Sequence, residues 1–189
     1  MRRKAPKHEV EVKLETVDAD LERRRLVALG ATLTTARTLE DNRLYDDRKG
    51  SLRKRGRLLR VRTAGQRHTL TFKKKPGAKR RSERYKVRVE HETSIADPLA
   101  MDLILRDLGY RPSWRYQKYR ETYALHGVTV EIDETPIGGF LELEGDPEAI
   151  DRVASLLGRS AADYILKNYR RLHEERAGTR TPADLVFVR

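Results

Sequence analysis

Apolar and charged residues alternate along most of the chain. In HEVEVKLE (8–15), Val10 and Val12 hold one face while Glu9, Glu11 and Lys13 hold the other, because strand side chains two apart share a face. The same period predicts strands over 41–47 (DNRLYDD), 56–63 (GRLLRVRT), 67–73 (RHTLTFK), 84–92 (RYKVRVEHE), 116–125 (YQKYRETYAL), 128–134 (VTVEIDE) and 139–146 (GFLELEGD). Helical periodicity with start and stop signals falls between them. VDADLERRRLVALGA (17–31) has Asp18 or Asp20 as N-cap and Gly30 at its end. ADPLAMDLILRDLGY (96–110) starts at Asp97-Pro98 and stops at Gly109, and GDPEAIDRVASLLG (145–158) repeats the Asp-Pro start and Gly stop. SAADYILKNYRRLHEE (160–175) reads as a last amphipathic helix. Residues 1–175 then form one domain and 176–189 a C-terminal tail, in which DLVFV (184–188) has the character to pair with a strand. Two runs of strands, each followed by helix, predict an α+β fold with a large antiparallel sheet.

The polar faces are sorted by sign. Acids gather as Glu9 and Glu11, Glu131 and Asp133, and Glu142 and Glu144; bases gather as Arg60 and Arg62, Lys73 beside Thr71, Lys86 and Arg88, and Lys118 and Arg120. A sheet with one face in water would carry charge on that face, but with signs mixed along each strand. Sorting by strand fits an alternative in which these faces line the lumen of a closed barrel and the apolar faces are covered outside by the helices. Buried ions are costly unless compensated. The inward acids and bases nearly cancel, leaving room for a polyphosphate with one or two divalent cations.

Charge and composition narrow the partners. The 189 residues carry 41 Lys plus Arg against 29 Asp plus Glu, a net charge of +12, which points to an anionic partner: nucleic acid, phosphorylated metabolite or membrane surface. The absence of cysteine excludes disulfides, thiolate zinc sites and a cysteine nucleophile, and fits the cytoplasm. No run is long enough to span a bilayer, and the basic opening MRRKAPKHEV lacks the apolar stretch of a signal peptide. No phosphate-binding GxxxxGK[ST] loop, GxSxG elbow or GxGxxG turn is present.

The segments EVEVK, LLRVR, LTFKKKPG, KYR and EID…GGFLELEG resemble, in order, the ExExK, LRxR, LTxKxP, KxR and D…GxFxExE elements of CYTH-domain proteins, the triphosphate tunnel metalloenzyme superfamily. The resemblance runs from about residue 8 to 173. It implies an eight-stranded antiparallel β-barrel, a triphosphate tunnel, with Mg²⁺ or Mn²⁺ as cofactor. Carried over by position, Glu9, Glu11 and Glu142 would hold metal, with Glu131, Asp133 or Glu144 assisting. Lys13, Arg60, Arg62, Lys73, Lys118 and Arg120 would grip phosphate oxygens. Lys75, or less readily Lys74, competes with Lys73 for its place, and Arg88 is one of several basic contributors alongside Arg84 and Lys86. Glu9, Glu11, Lys13, Asp133 and Glu142 are the candidate catalytic set.

The resemblance identifies the container better than the reaction. A triphosphatase directs water at the terminal phosphorus of tripolyphosphate, ATP or thiamine triphosphate; a class IV adenylate cyclase directs the ribose 3′-hydroxyl at the α-phosphorus and releases pyrophosphate. Hydrolysis is the first reading, cyclisation the second, and a polyphosphate or nucleic-acid binder without turnover the third. The basic runs 48–57 and 73–82 suit nucleic-acid phosphates, but few aromatic residues interleave with them. A homodimer is compatible with the pattern.

Overall fold

A computed structural model describes residues 7–180 and 183–188. Among these residues the elements run β1 (Lys7–Thr16), α1 (Ala19–Ala28), β2 (Thr32–Asp46), α2 (Ser51–Lys54), β3 (Leu58–Ala64), β4 (Arg67–Lys74), β5 (Lys86–Ser94), α3 (Pro98–Asp107), β6 (Arg111–Leu125), β7 (Val128–Thr135), β8 (Gly138–Glu144), α4 (Pro147–Leu156) and α5 (Tyr169–Arg176). The strands close into an antiparallel barrel in the order β1-β5-β4-β3-β2-β6-β7-β8, with β8 returning to β1. The α+β barrel with outer helices is therefore the observed fold.

Helix starts follow the side-chain caps. Asp18 accepts the backbone N–H of Leu21, Asp97 those of Leu99 and Ala100, and Asp146 that of Glu148. The cap of α1 is thus Asp18, and Asp20 lies in its first turn.

The apolar core lies outside the barrel. Leu26 of α1 and Ile150 and Val153 of α4 pack on Val12, Leu14, Val130, Ile132, Leu141 and Leu143 of β1, β7 and β8. Leu105 of α3 packs with Tyr45, Leu59 and Val61 of β2 and β3. Each such aliphatic chain contributes about 1.5–3 kcal/mol when fully buried. With the outward-facing positions satisfied, the alternate positions must point inward.

The C-terminal region departs from the sequence reading. The predicted helix over 160–175 is helical only as a 3₁₀ turn at Ala161–Asp163 and as α5, which Asn168 caps by accepting the N–H of Arg171. Between them the chain is extended. β5 pairs with β1 only up to Glu11, and Ile165 takes the next vacant position, its N–H donating to the Lys13 carbonyl at 2.8 Å and its carbonyl accepting from Lys13 at 3.2 Å. A similar vacancy exists on β6, which β7 pairs from Tyr119 onward. There the Leu185 N–H donates to the Arg115 carbonyl at 2.9 Å, and the Leu185 carbonyl accepts from Gln117 at 2.8 Å. Two backbone ladders left open at one end of the barrel are completed by Ile165 and Leu185, from the segments that flank α5. α5 sits between the two patches, with Tyr169 and Leu172 packed on Trp114, Phe140 and Leu185.

Candidate functional site

The inward faces stack by register. Around the barrel, Glu9 faces Arg88 and Glu11 faces Lys86 across β1 and β5; Lys13 faces Glu142 and Glu11 faces Glu144 across β1 and β8; Glu131 faces Glu142 across β7 and β8. On the other side, Lys118 faces Glu40, Arg62 faces Asn42, and Arg60 faces Thr71. Acids concentrate on the adjacent strands β7, β8 and β1, and bases on β3, β4 and β6. Together they line a cavity of about 350 Å³ in which Lys and Arg outnumber Asp and Glu.

Of the sequence candidates, Glu9, Glu11, Lys13, Arg60, Arg62, Lys73, Arg88, Lys118, Arg120, Glu131, Glu142 and Glu144 line this one cavity. Asp133 lies behind the lining, 0% exposed. Its Oδ1 accepts from Arg120 Nε at 2.7 Å, and its Oδ2 accepts from Lys118 at 2.8 Å, Arg120 at 2.6 Å and Tyr169 at 2.5 Å. Lys75 is exposed and is not one of the lining residues, although its side chain lies over Gly56, which is.

Every lumen acid named so far in an ion pair leans on a base. Lys73 holds both oxygens of Glu9 at 2.6 and 2.7 Å, and Lys86 pairs with Glu11. Lys13 donates to Glu142 at 2.5 Å, and Arg120 bridges Glu142 and Glu131, each at 2.6 Å. Burial tends to raise Glu142 and Glu11, but Lys13, Lys118 and Arg120 bring Glu142 well below the usual carboxylate range, and Lys86 brings Glu11 to about 2. Glu9 and Glu131 go the other way. Burial and the neighbouring Glu11 push Glu9 up to about 7, and burial with Glu142 pushes Glu131 to about 8, despite Lys73 and Arg120. Among the described residues no three His, Cys, Asp or Glu side chains stand grouped as a metal site, since these carboxylates turn toward lysine and arginine.

Sequence reasoning missed four contributors. Glu40 pairs with Arg62 at 2.9 Å and approaches Lys118 at 3.7 Å. Asn42 accepts from Arg62 Nε at 2.8 Å. The Tyr116 hydroxyl accepts from Arg60 at 3.3 Å, and the Tyr169 ring lies under the ammonium groups of Lys13 and Lys118, at 4.6 and 5.2 Å from its centroid. Glu40 and Asn42 share a strand face by spacing, but they sit in the polar run EDNR, where no alternation with apolar residues marks them. Tyr169 follows the capping Asn168, a helix-start signal inside the run read as continuous helix.

Comparison with known proteins agrees with this fold. Among solved structures, a Vibrio parahaemolyticus protein named as a candidate adenylate cyclase superposes with a TM-score of 0.77 at 18% identity, over 88% of this chain and 98% of that one. A conserved hypothetical protein of Pyrococcus furiosus superposes at 0.69 with 25% identity, over 85% and 97%. A Hippeastrum protein named as a candidate adenylyl cyclase with a dominant triphosphatase activity superposes at 0.63 with 20% identity, over 90% and 96%. No curated protein matches the chain by sequence. The CYTH domain family model matches residues 7–178, nearly the whole chain, and the chain belongs to the CYTH domain family.

Proposed function

We propose that the tunnel binds a triphosphate together with Mg²⁺ or Mn²⁺ and hydrolyses it, acting as a triphosphatase in the cytoplasm. One observation carries the reading: cationic side chains from β3, β4 and β6 and carboxylates from β1, β7 and β8 converge inside a single closed barrel. The enclosed bases suit phosphate oxygens, and the facing acids suit a cation.

The donor set fits a hard divalent ion. Glu9, Glu11, Glu131, Glu142 and Glu144 offer oxygen alone, and Glu9 and Glu131 are raised by burial and, to a lesser degree, by neighbouring glutamates, beyond what the nearby bases offset. These residues would hold Mg²⁺ or Mn²⁺, which would supply charge neutralisation at the phosphates and an oriented nucleophile. Substrate binding is then an exchange of partners. Lys13, Lys73 and Arg120 would release Glu142, Glu9 and Glu131 and take phosphate oxygens, and those carboxylates would be the ones to hold the cation. Arg60 and Lys118 complete the cradle, and Asp133 keeps Lys118 and Arg120 aimed into it. In phosphoryl transfer, positioning and charge stabilisation do most of the work.

The same cradle serves cyclisation if the phosphates lie in the other direction. One assay separates the reactions: incubation with Mg²⁺ or Mn²⁺ and tripolyphosphate, ATP or thiamine triphosphate, followed by product identification. Orthophosphate supports hydrolysis, cyclic AMP with pyrophosphate supports a cyclase, and tight binding without turnover would overturn both.

A further inference from the structure

The helices outside the barrel differ in what they turn to solvent. α1 exposes Arg24 and Arg25, α4 exposes Glu148 and Arg152, and α5 exposes Arg171 and Glu175, the polar outer face expected of a surface helix. α3 does not. It buries Leu105 against Tyr45, Leu59 and Val61, yet leaves Leu99 exposed by 72%, Leu103 by 63%, Ile104 by 51% and, at its C-cap, Leu108 by 68%. Asp107 is the one charged residue among the exposed positions of α3. Single exposed aliphatics such as Val27 on α1 or Leu156 on α4 are ordinary, but four on one short helix form a contiguous patch. A helix apolar on every side belongs where it is covered on every side, and the barrel covers only one side of α3.

We propose that the outer face of α3 is covered by the same face of a second copy of the chain, the two helices packing antiparallel about a twofold axis. An isologous interface needs one patch that complements itself, and the spacing supplies it. Leu99 and Leu108 lie equally far on either side of the Leu103–Ile104 peptide, and at 3.6 residues per turn the middle of the set faces away from Asp102 and Leu105. Antiparallel pairing centred there sets Leu103 against the partner's Leu103, Ile104 against the partner's Ile104, and Leu99 level with the partner's Leu108. Charge selects the direction. Asp107 then meets the partner's Ala100, where the small side chain leaves room and the N-terminal turn of the partner's helix favours an acid. Parallel pairing would instead set Asp107 against the partner's Asp107. The area is adequate as well. A fully exposed leucine or isoleucine presents about 200 Å², so the four side chains offer roughly 500 Å², more than half of the about 800 Å² that each partner gives to a stable interface.

Sedimentation equilibrium on the full chain tests the pairing. Between about 1 and 100 μM the wild-type chain is expected to sediment at twice its chain mass of 21.9 kDa. Leu103→Glu and Ile104→Glu should each raise the dimer dissociation constant by at least about 100-fold, since each places two charges in the apolar contact. Both side chains lie outside the core, so circular dichroism should stay that of the wild-type barrel. A wild-type monomer throughout the range would assign the face to some other partner and overturn the proposal, as would a dimer that survives both substitutions. Orientation is read by cross-linking, which is clean because the chain has no cysteine. Ala100→Cys combined with Asp107→Cys should give a covalent dimer under mild oxidation. Either substitution alone should not, because equivalent positions then lie about 10 Å apart along the paired helices, beyond disulfide reach. Cross-linking of Ala100→Cys alone, or none in the double variant, would overturn the antiparallel arrangement. No arm of the test reads turnover, so its outcome is independent of the triphosphate reading.

Discussion

The hydroxyl of Tyr169 donates to Asp133 Oδ2 at 2.5 Å, joining the last helix to a carboxylate that also holds Lys118 and Arg120. One buried bond thus ties α5 to the cradle. Tyr169→Phe keeps the ring over Lys13 and Lys118 but removes that donor. Hydrogen bonds to charged groups contribute roughly 1.5–3 kcal/mol, so urea unfolding should show a loss of that size. An unfolding midpoint equal to the wild-type value would mean that the bond anchors nothing.

Glu9→Gln and Glu11→Gln each remove a charge from the face proposed to hold the cation while preserving shape. Turnover with Mg²⁺ or Mn²⁺ should drop by more than about 100-fold, exceeding the effect of changing a mere supporting group around a metal. Far-ultraviolet circular dichroism should stay that of the wild-type barrel. Near-normal rates in both variants would remove these residues from the site.

Arg60 donates to Tyr116 and Thr71 and is 6% exposed. Both bonds are to neutral groups and its ion pair with Glu92 is long, at 3.8 Å, which leaves most of the guanidinium charge to a phosphate. Arg60→Ala should raise KM for triphosphate by roughly 10- to 100-fold with a smaller change in kcat. The same substitution at Arg62, which is braced by Glu40 and Asn42, should also weaken binding. A KM unaffected by either change would count against the cradle.

Much of this site was legible in strand alternation, because register carries each charged face intact into the lumen. Glu9, Glu11 and Lys13 share one face of β1 by spacing alone, and the closing order of the barrel does the rest. What escaped was set by tertiary pairing. The first half of β2, TLTTARTLE, is mostly exposed, and its pairing with β6 shifts register twice between Leu33 and Thr38; without alternation there, Glu40 does not stand out. The segment 164–168 resembles helix by composition, yet the vacant edge of β1 at Lys13 draws it into extended pairing, a long-range contact that local propensity does not encode. Of the surplus lysines of TFKKKPG, Lys74 is separated by parity, whereas Lys75 has the parity of Lys73 and is set apart only because it falls beyond the end of β4; Lys73 points inward as the cross-strand neighbour of Glu90.

Stability should vary with pH in a direction the metal can reverse. Glu9 at about 7 and Glu131 at about 8 lie above the ordinary glutamate value of 4.5. The native chain therefore holds protons there that the unfolded chain has released, and this contribution, complete below about pH 4.5, is lost as pH rises through 7 to 8. Glu11 and Glu40, both at about 2, act oppositely: their contribution is present above about pH 4.5 and fades as pH falls toward 2. Mg²⁺ or Mn²⁺ should take over the protons' role, so the ion should raise Tm more at pH 8 than at pH 5. An equal rise at both values would show that the cation binds elsewhere.

Leu185 lies beyond the residues matched by the family model, yet it is 3% exposed and completes the open edge of β6. Its side chain packs with Trp114, Tyr116 and Tyr169, the aromatic group at the α5 end of the lumen, and the adjoining Ala183 carbonyl accepts from Trp114 Nε1 at 3.1 Å. This segment therefore contributes backbone pairing and apolar packing at one site. Leu185→Ala should cost about 2–5 kcal/mol through the cavity it leaves, whereas Val188→Ala, at a residue 97% exposed, should leave the urea midpoint unchanged. A chain cut before Ala183 should lose at least as much as Leu185→Ala and should also expose the 115–117 backbone, seen as faster amide hydrogen exchange at Gln117, whose N–H is bonded to Leu185. Exchange at Gln117 as slow as in the intact chain would show that β6 closes without this segment.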